Sequence, residues 1–325
     1  MFKKFAALAA AAALSLGVMT GCGASGTTAD STGYSAENPL VLTLAHGLSE
    51  THTVHIAMTQ FADEVAEKTD GRIQVKIFPN GQLGSENENL EQLQAGVIAM
   101  TKVSAPGLAT YNDAFNAFGL PYIFNDTDDF YHVMDSQEMQ DFFLSTGDDG
   151  FVTLTYYTSG ARSFYTKDRA IRTPADLKGL KIRVQQSPTN VEMMRLLGGT
   201  ATPMGFGDVY TALQAGILDG AENNELALTD NGHGDICKYY SYDMHQMVPD
   251  LLVANYAFLN GLSAEERAIF EEGFQIVKST EQDAWEDAVA EAKDNAENEQ
   301  HVNFIYPDTA PFQEAMAPLH DSFSV

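Results

Sequence analysis

Residues 181–224, KIRVQQSPTNVEMMRLLGGTATPMGFGDVYTALQAGILDGAENN, constrain the fold of this chain more than any other stretch. They read as strand, helix, strand, helix, strand. Ile182 and Val184 share one face of the first strand, so Arg183 points the other way. Ser187 is placed to cap the next helix, with Pro188 at its first position, and Gly198 and Gly199 end it. Residues 200–204 form a short strand, and Asp208 caps a second helix that closes at Gly216. Arg183, Phe206 and Asn223 then fall at strand ends or strand-to-helix turns, the edge where open α/β sheets bind ligands.

The N-terminal third repeats this pattern. Residues 40–45 are a strand, and 50–69 a helix with Val54, Ala57, Met58, Phe61, Ala62 and Val65 at three-four spacing. Gly71 stops it, and residues 72–78 alternate as a strand. Ser85 and Glu88 fit a capping box opening a helix that ends at Gly96, followed by a strand over 97–103. This order predicts a parallel sheet with right-handed crossovers. Residues 128–145 are expected to be one helix, 151–157 a strand, 231–240 helical, and 242–258 a strand that returns to the first lobe near Pro249. One long helix runs from Ser263 to about Gln300, capped by Ser263 with Glu266 three residues on.

The 325 residues suffice for two domains, and 44% hydrophobic content suffices for their cores. The formal charge is −27, and loss of a leader carrying Lys3 and Lys4 makes it more negative still. That balance argues against nucleic acid and against anionic lipid as partners. It also repels an anionic ligand at long range, so such a ligand needs local attraction from individual buried arginines. Lys3 and Lys4, the apolar run 5–16, and Met19-Thr20-Gly21-Cys22 form a signal peptide over 1–21 that ends in a lipobox-like sequence. Cys22 is then lipidated, an ordinary secretory cut nearby being the alternative, and 22–38 is a flexible tether. Cys237, the other cysteine, has no partner, so no disulfide is expected. The mature protein is expected to be extracytoplasmic, periplasmic or at the cell surface, held to the cell membrane by its lipid.

KIRV, PMGFGDVYTALQ and DGAEN, together with AHGLSETHTVH, GRIQVKIFPNGQLG and GLPYIF, resemble the solute receptors of TRAP transporters, the tripartite ATP-independent carriers. The resemblance covers nearly the whole mature chain. It implies a two-lobed, periplasmic-binding-protein-like α/β fold with mixed, mainly parallel sheets, a hinge, and a long C-terminal helix spanning both lobes. The lobes are expected at 39–160 with 249–285, and at 161–248 with 286–325. The chain ends at Val325, earlier than the resemblance implies, so a final helical segment is expected to be missing.

Six residues are candidates for the ligand site. Arg183 carries a planar, permanent charge that matches a carboxylate with two parallel hydrogen bonds; the resemblance assigns it that role, against a salt bridge to a neighbouring acid. A second arginine, Arg162 in SGARSFYT, is implied beside it, against an inter-lobe ion pair. Two arginines close together in a dry site are costly unless an anion joins them. Asn223 offers a donor and an acceptor, and Phe206 an apolar wall. His46 and Glu86 are implied as polar contacts from the first lobe, against capping or local hydrogen bonding. The group His46, Glu50, His52, His55 does not match a zinc spacing, so no metal and no cofactor is expected.

The function implied is capture of an organic acid and its delivery to a membrane permease, by a protein expected to be a monomer and not an enzyme. AENN and HGDICKYYSYDMHQMVPD resemble the subgroup associated with hexuronates such as glucuronate and galacturonate. Sialic acids and C4-dicarboxylates are the alternatives within the family, the latter needing a second cation that the sequence does not place. A secreted metallohydrolase using the histidines, and a sensory module, are the alternatives outside it.

Overall fold

A computed structural model describes residues 33–323. The signal peptide, Cys22 and the first part of the tether lie outside the described residues. No helix among them is long and apolar enough to cross a membrane.

The chain begins with β1 (Leu40–Ala45), α1 (Thr53–Lys68), β2 (Ile73–Phe78), α2 (Glu86–Gln94) and β3 (Met100–Ser104). The stripe of α1 predicted from spacing is buried, and its Phe61 meets Phe270 and Phe274 at 5.5 and 5.2 Å between ring centroids. Gly71 follows the helix at φ +76°, a conformation costly for any side chain. The Ser85–Glu88 capping box is present in both directions. Two short helices follow, α3 (Thr127–Met134) and α4 (Gln137–Ser145), then β4 (Phe151–Tyr157). The single helix expected over 128–145 is broken because Ser136 accepts from the Met139 N–H and so starts a new helix. Asp135 beside it turns its carboxylate to the Tyr156 hydroxyl.

The second sheet opens with β5 (Ala161–Thr166), β6 (Lys181–Val184), α5 (Pro188–Leu197), β7 (Thr200–Pro203), α6 (Val209–Gln214), β8 (Gly220–Asn223) and α7 (Leu226–Thr229). This matches the pattern read from residues 181–224, including Pro188 at the first helical position and Gly198 at φ +82°. The caps differ. The Ser187 hydroxyl is buried without a hydrogen bond, and Asp208 makes no side-chain bond to its helix. Residues 231–240 are not helical. One short 3₁₀ turn at His233–Asp235 leads into β9 (Tyr239–Met247), whose tyrosines at 239, 240 and 242 favour a pleated surface.

The strand expected over 242–258 is two strands in different sheets. β9 ends at Met247, and β10 (Asp250–Asn255) joins the first sheet, so Pro249 does mark the crossing. Then come α8 (Tyr256–Gly261), α9 (Ala264–Asn298), β11 (Asn303–Ile305) and α10 (Ala310–Ser322). The first sheet runs β2-β1-β3-β10-β4 and the second β11-β9-β5-β8-β6-β7. β1, β2 and β3 are parallel as predicted, but β10 is antiparallel to both β3 and β4, so the first sheet is mixed.

At ~1.5 Å per residue, the 35 residues of α9 span about 52 Å. Its Phe270, Phe274 and Val277 pack into the first sheet's core, Trp285 and Ala292 pack with Leu226, and Ala296 joins the core around Tyr165 and Tyr240 in the second. The chain passes between the sheets at 158–160 and again at 248–249, where the Ser159 hydroxyl donates to the Val248 carbonyl at 2.6 Å. Trp285 lies against Gly160, where an added Cβ would meet its ring at 3.0 Å.

Candidate functional site

A cavity of about 360 Å³ opens between the two sheets. Arg162, Arg183, Met204, Phe206 and Asn223 line it from the second sheet. His52, Glu86, Lys102, Ser104 and Asp250 line it from the first. Residues of the two sides also meet beside it: the Ser49 hydroxyl donates to Asp230 at 3.3 Å, and Gly205 packs near Ser85.

Arg183 sits on β6 opposite Ala221 and Thr202 and is 4% exposed. Its Nε and Nη2 donate to the Met204 carbonyl at 3.1 and 2.9 Å, which holds the fork in one orientation. The guanidinium lies 5.4 Å from the Phe206 ring centroid. Among the described residues it has no carboxylate at ion-pair distance, and Nη1 has no partner. Burial, and then Arg162 nearby, push its pKa below the ordinary value against the pull of Glu222. This is a buried cation short of an anion.

Arg162 is not. Its Nε is 2.6 Å from Glu222 Oε2, its Nη2 donates to the Glu222 carbonyl at 2.8 Å, and its Nη1 donates to Asn223 Oδ1 at 3.0 Å. The expectation of two unpaired arginines awaiting a common anion is therefore corrected: both line the cavity, but Glu222 already balances Arg162. The pair continues through His245, whose Nε2 is 3.5 Å from Glu222 and whose Nδ1 is 2.8 Å from Asp243. Burial works against each of these charges, yet Arg162 and His245 hold Glu222 down to about 2, and Asp243 and Glu222 hold His245 up to about 9. Arg162, Glu222, His245 and Asp243 thus form one buried chain of alternating basic and acidic side chains.

Asn223 ends β8, and its Oδ1 is shared between Arg162 and its neighbour's N–H, so the amide offers the cavity a donor and not the expected acceptor. Phe206 forms an apolar wall with its ring edge-on to His233 at 5.5 Å.

On the first side, His46 does not line the cavity. It is fully buried, with Nε2 3.0 Å from His55 Nδ1 and Nδ1 accepting from the Leu48 N–H at 3.2 Å. His52, passed over as a ligand contact from the sequence, is on the wall. Its Nδ1 accepts from the Val54 N–H and caps α1, and its ring is 6.1 Å from Trp285. Burial pushes both imidazoles down to about 3, so both are neutral. The capping position before the apolar stripe of α1 was the available signal. Among the described residues no three His, Cys, Asp or Glu side chains group to hold a metal ion. Cys237 is a buried free thiol.

Glu86 is on the wall, bound to Lys102 at 3.0 Å and to the Ser104 N–H at 3.2 Å. Lys102 is 4% exposed at its side chain and also pairs with Asp250 at 2.8 Å. Sequence reading passed over Lys102, although a lysine inside the buried strand MTKVS is the kind of local inconsistency that marks a functional position.

The family described as bacterial extracellular solute-binding protein, family 7 (DctP) matches residues 44–325. A TRAP periplasmic solute-binding protein from Anaerococcus prevotii, solved with bound α/β-D-glucuronate, is 48% identical over 87% of this chain and 92% of that one, with a TM-score of 0.85. Another from Xanthobacter autotrophicus, solved with β-D-galacturonate, is 35% identical over 87% and 95%, with a TM-score of 0.84. A Salmonella typhimurium protein described as uncharacterized protein YiiZ is 40% identical over 86% of each chain.

Proposed function

This chain belongs to family 7 of the bacterial extracellular solute-binding proteins, the extracytoplasmic receptors of TRAP transporters, and we propose that its cleft captures a hexuronate, glucuronate or galacturonate, for delivery to a membrane permease. The observation that carries the reading is Arg183: a buried guanidinium, oriented by the Met204 carbonyl and unmatched by any carboxylate among the described residues, on the wall of a cavity of sugar size. A ligand carboxylate supplies the missing charge at the Nη1 side. The Asn223 amide donates to a ring hydroxyl or to the same carboxylate, and Phe206 covers an apolar face of the ring. Arg162 orients Asn223 and stays paired with Glu222. From the other lobe, Glu86 and His52 meet the hydroxyls. The two solved relatives with bound hexuronate support this ligand class.

We assign the lobes to 39–160 with 249–285 and to 161–248 with 286–325. The crossings at 158–160 and 248–249, with α9 lying along both sheets, support that division. Capture then couples to hinge closure, because the two halves of the ligand shell belong to different lobes. The anchor we propose is a lipid on Cys22 after removal of residues 1–21.

A thermal-shift panel of glucuronate, galacturonate, sialic acid and succinate tests the ligand, since binding raises apparent stability by mass action. Both hexuronates are expected to raise Tm. A shift with succinate or sialic acid alone replaces the hexuronate by that class.

A further inference from the structure

The first-sheet wall of the cavity carries a lysine that no ligand charge can claim. Lys102 Nζ lies 3.0 Å from Glu86 Oε1 and 2.8 Å from Asp250 Oδ2. The remaining oxygens of both carboxylates are also held: Ser104 donates its N–H to Glu86 Oε2 at 3.2 Å and its hydroxyl to Asp250 Oδ1 at 2.7 Å. The register that sets Asp250 opposite Ser104 and Leu252 opposite Lys102 builds this cluster from β3 and β10, and the first residue of α2 completes it. Two carboxylates against one ammonium leave this cluster with one net negative charge. Consistent with that, the two acids outweigh burial and push the Lys102 pKa above its ordinary value.

On the second-sheet wall Arg162 is balanced by Glu222. Among the described residues lining the cavity, Arg183 is thus the one cation without a carboxylate partner. The cleft is polarised, positive at Arg183 and negative at Glu86, the most exposed member of its cluster at 29%. Hydroxyl groups donate well to that negative wall. A carboxylate facing it meets like charge.

We propose that the Glu86–Lys102–Asp250 cluster restricts the cleft to sugar acids of a single negative charge, and that it rejects the matching diacids, the hexarates, by the charge of Glu86 and not by size. This rests on the hexuronate reading above. The cation that a dicarboxylate would need is present, and the protein has already neutralised it.

Isothermal calorimetry on the full-length mature protein tests this with galacturonate, galactarate and galactarate monoamide. The last two are both open chains and differ in one charge, so their ratio separates charge from shape. Wild type is expected to bind the monoamide about a hundredfold tighter than the diacid, from like charges a few ångströms apart. Glu86→Gln removes the charge and keeps one acceptor, enough for Lys102 or for the Ser104 N–H but not for both, and is expected to narrow that ratio at least roughly tenfold. Equal affinity of wild type for diacid and monoamide overturns the proposal. So does a wild-type preference that Glu86→Gln leaves unchanged in protein shown folded by circular dichroism. If Glu86→Gln does not fold, Glu86→Ala takes its place, and if neither folds the wild-type ratio alone decides. A wild type that binds galacturonate but discriminates nothing by charge leaves the hexuronate reading intact. One that binds no singly charged sugar acid removes both.

Discussion

Replacing Arg183 by alanine tests the centre of the argument. The guanidinium is 4% exposed and already fixed by two hydrogen bonds to Met204, so little side-chain freedom remains to be lost when a ligand arrives. Its unspent donors are at Nη1 and the second Nη2 hydrogen. Two hydrogen bonds to a charged group, at roughly 1.5–3 kcal/mol each, give about 3–6 kcal/mol. That corresponds to a Kd raised by about two to four powers of ten. Arg183→Lys keeps a charge but loses the fork, and its single ammonium cannot reach both Met204 and the ligand. An intermediate loss of roughly ten- to a hundredfold is expected for it. The assay is calorimetry with galacturonate and glucuronate, with circular dichroism melting to show that each variant folds. A folded Arg183→Ala protein that binds within about threefold of wild type would refute the reasoning, since no other unmatched cation lines the cavity among the described residues.

Three further outcomes follow from the same geometry. Asp230→Ala removes the Ser49–Asp230 contact between loops on either side of the cleft; at about 0.5–1.5 kcal/mol it should weaken hexuronate affinity roughly two- to tenfold, chiefly through faster release. Stopped-flow fluorescence of Trp285, the single tryptophan, reads that release, and an unchanged off-rate counts against a clasp. Glu281 on α9 is buried, accepts from the Thr158 N–H at 3.2 Å, and has its pKa pushed by burial from the ordinary 4.5 up to about 8. Its folded-state pKa lies above its unfolded one, so its stabilisation is complete below about 4.5 and is lost as pH rises through about 8. Melting temperature against pH should fall across that window in wild type and flatten in Glu281→Gln; parallel curves would show that the carboxyl does not titrate there. Cys22→Ser should move the protein from the membrane fraction to the soluble one, and retention on membranes would discard the lipid anchor.

Much of the backbone was legible because its signals are local. The stripe of α1, the Ser85–Glu88 box, Pro188 and Gly198 around α5, Pro249 between the sheets and Ser263 before α9 each act within a few residues. The same local logic set Arg183, Phe206 and Asn223 at strand ends, where the cavity forms. The helix expected over 231–240 is instead a 3₁₀ turn at His233–Asp235 that leads into β9, which fills the place between β5 and β11.

What the residues alone determined was the alternation of strands and helices and the presence of an arginine fork on a strand facing a crevice. The tertiary structure decided the charges. Arg162 meets an acid 60 positions away, and Lys102 meets one 16 positions before it and another 148 after it. His46 turns inward to His55 while His52 takes the wall. No local pattern encodes such partners, because Coulomb energy depends on distance through space and on burial, and both are set only when the strands have paired.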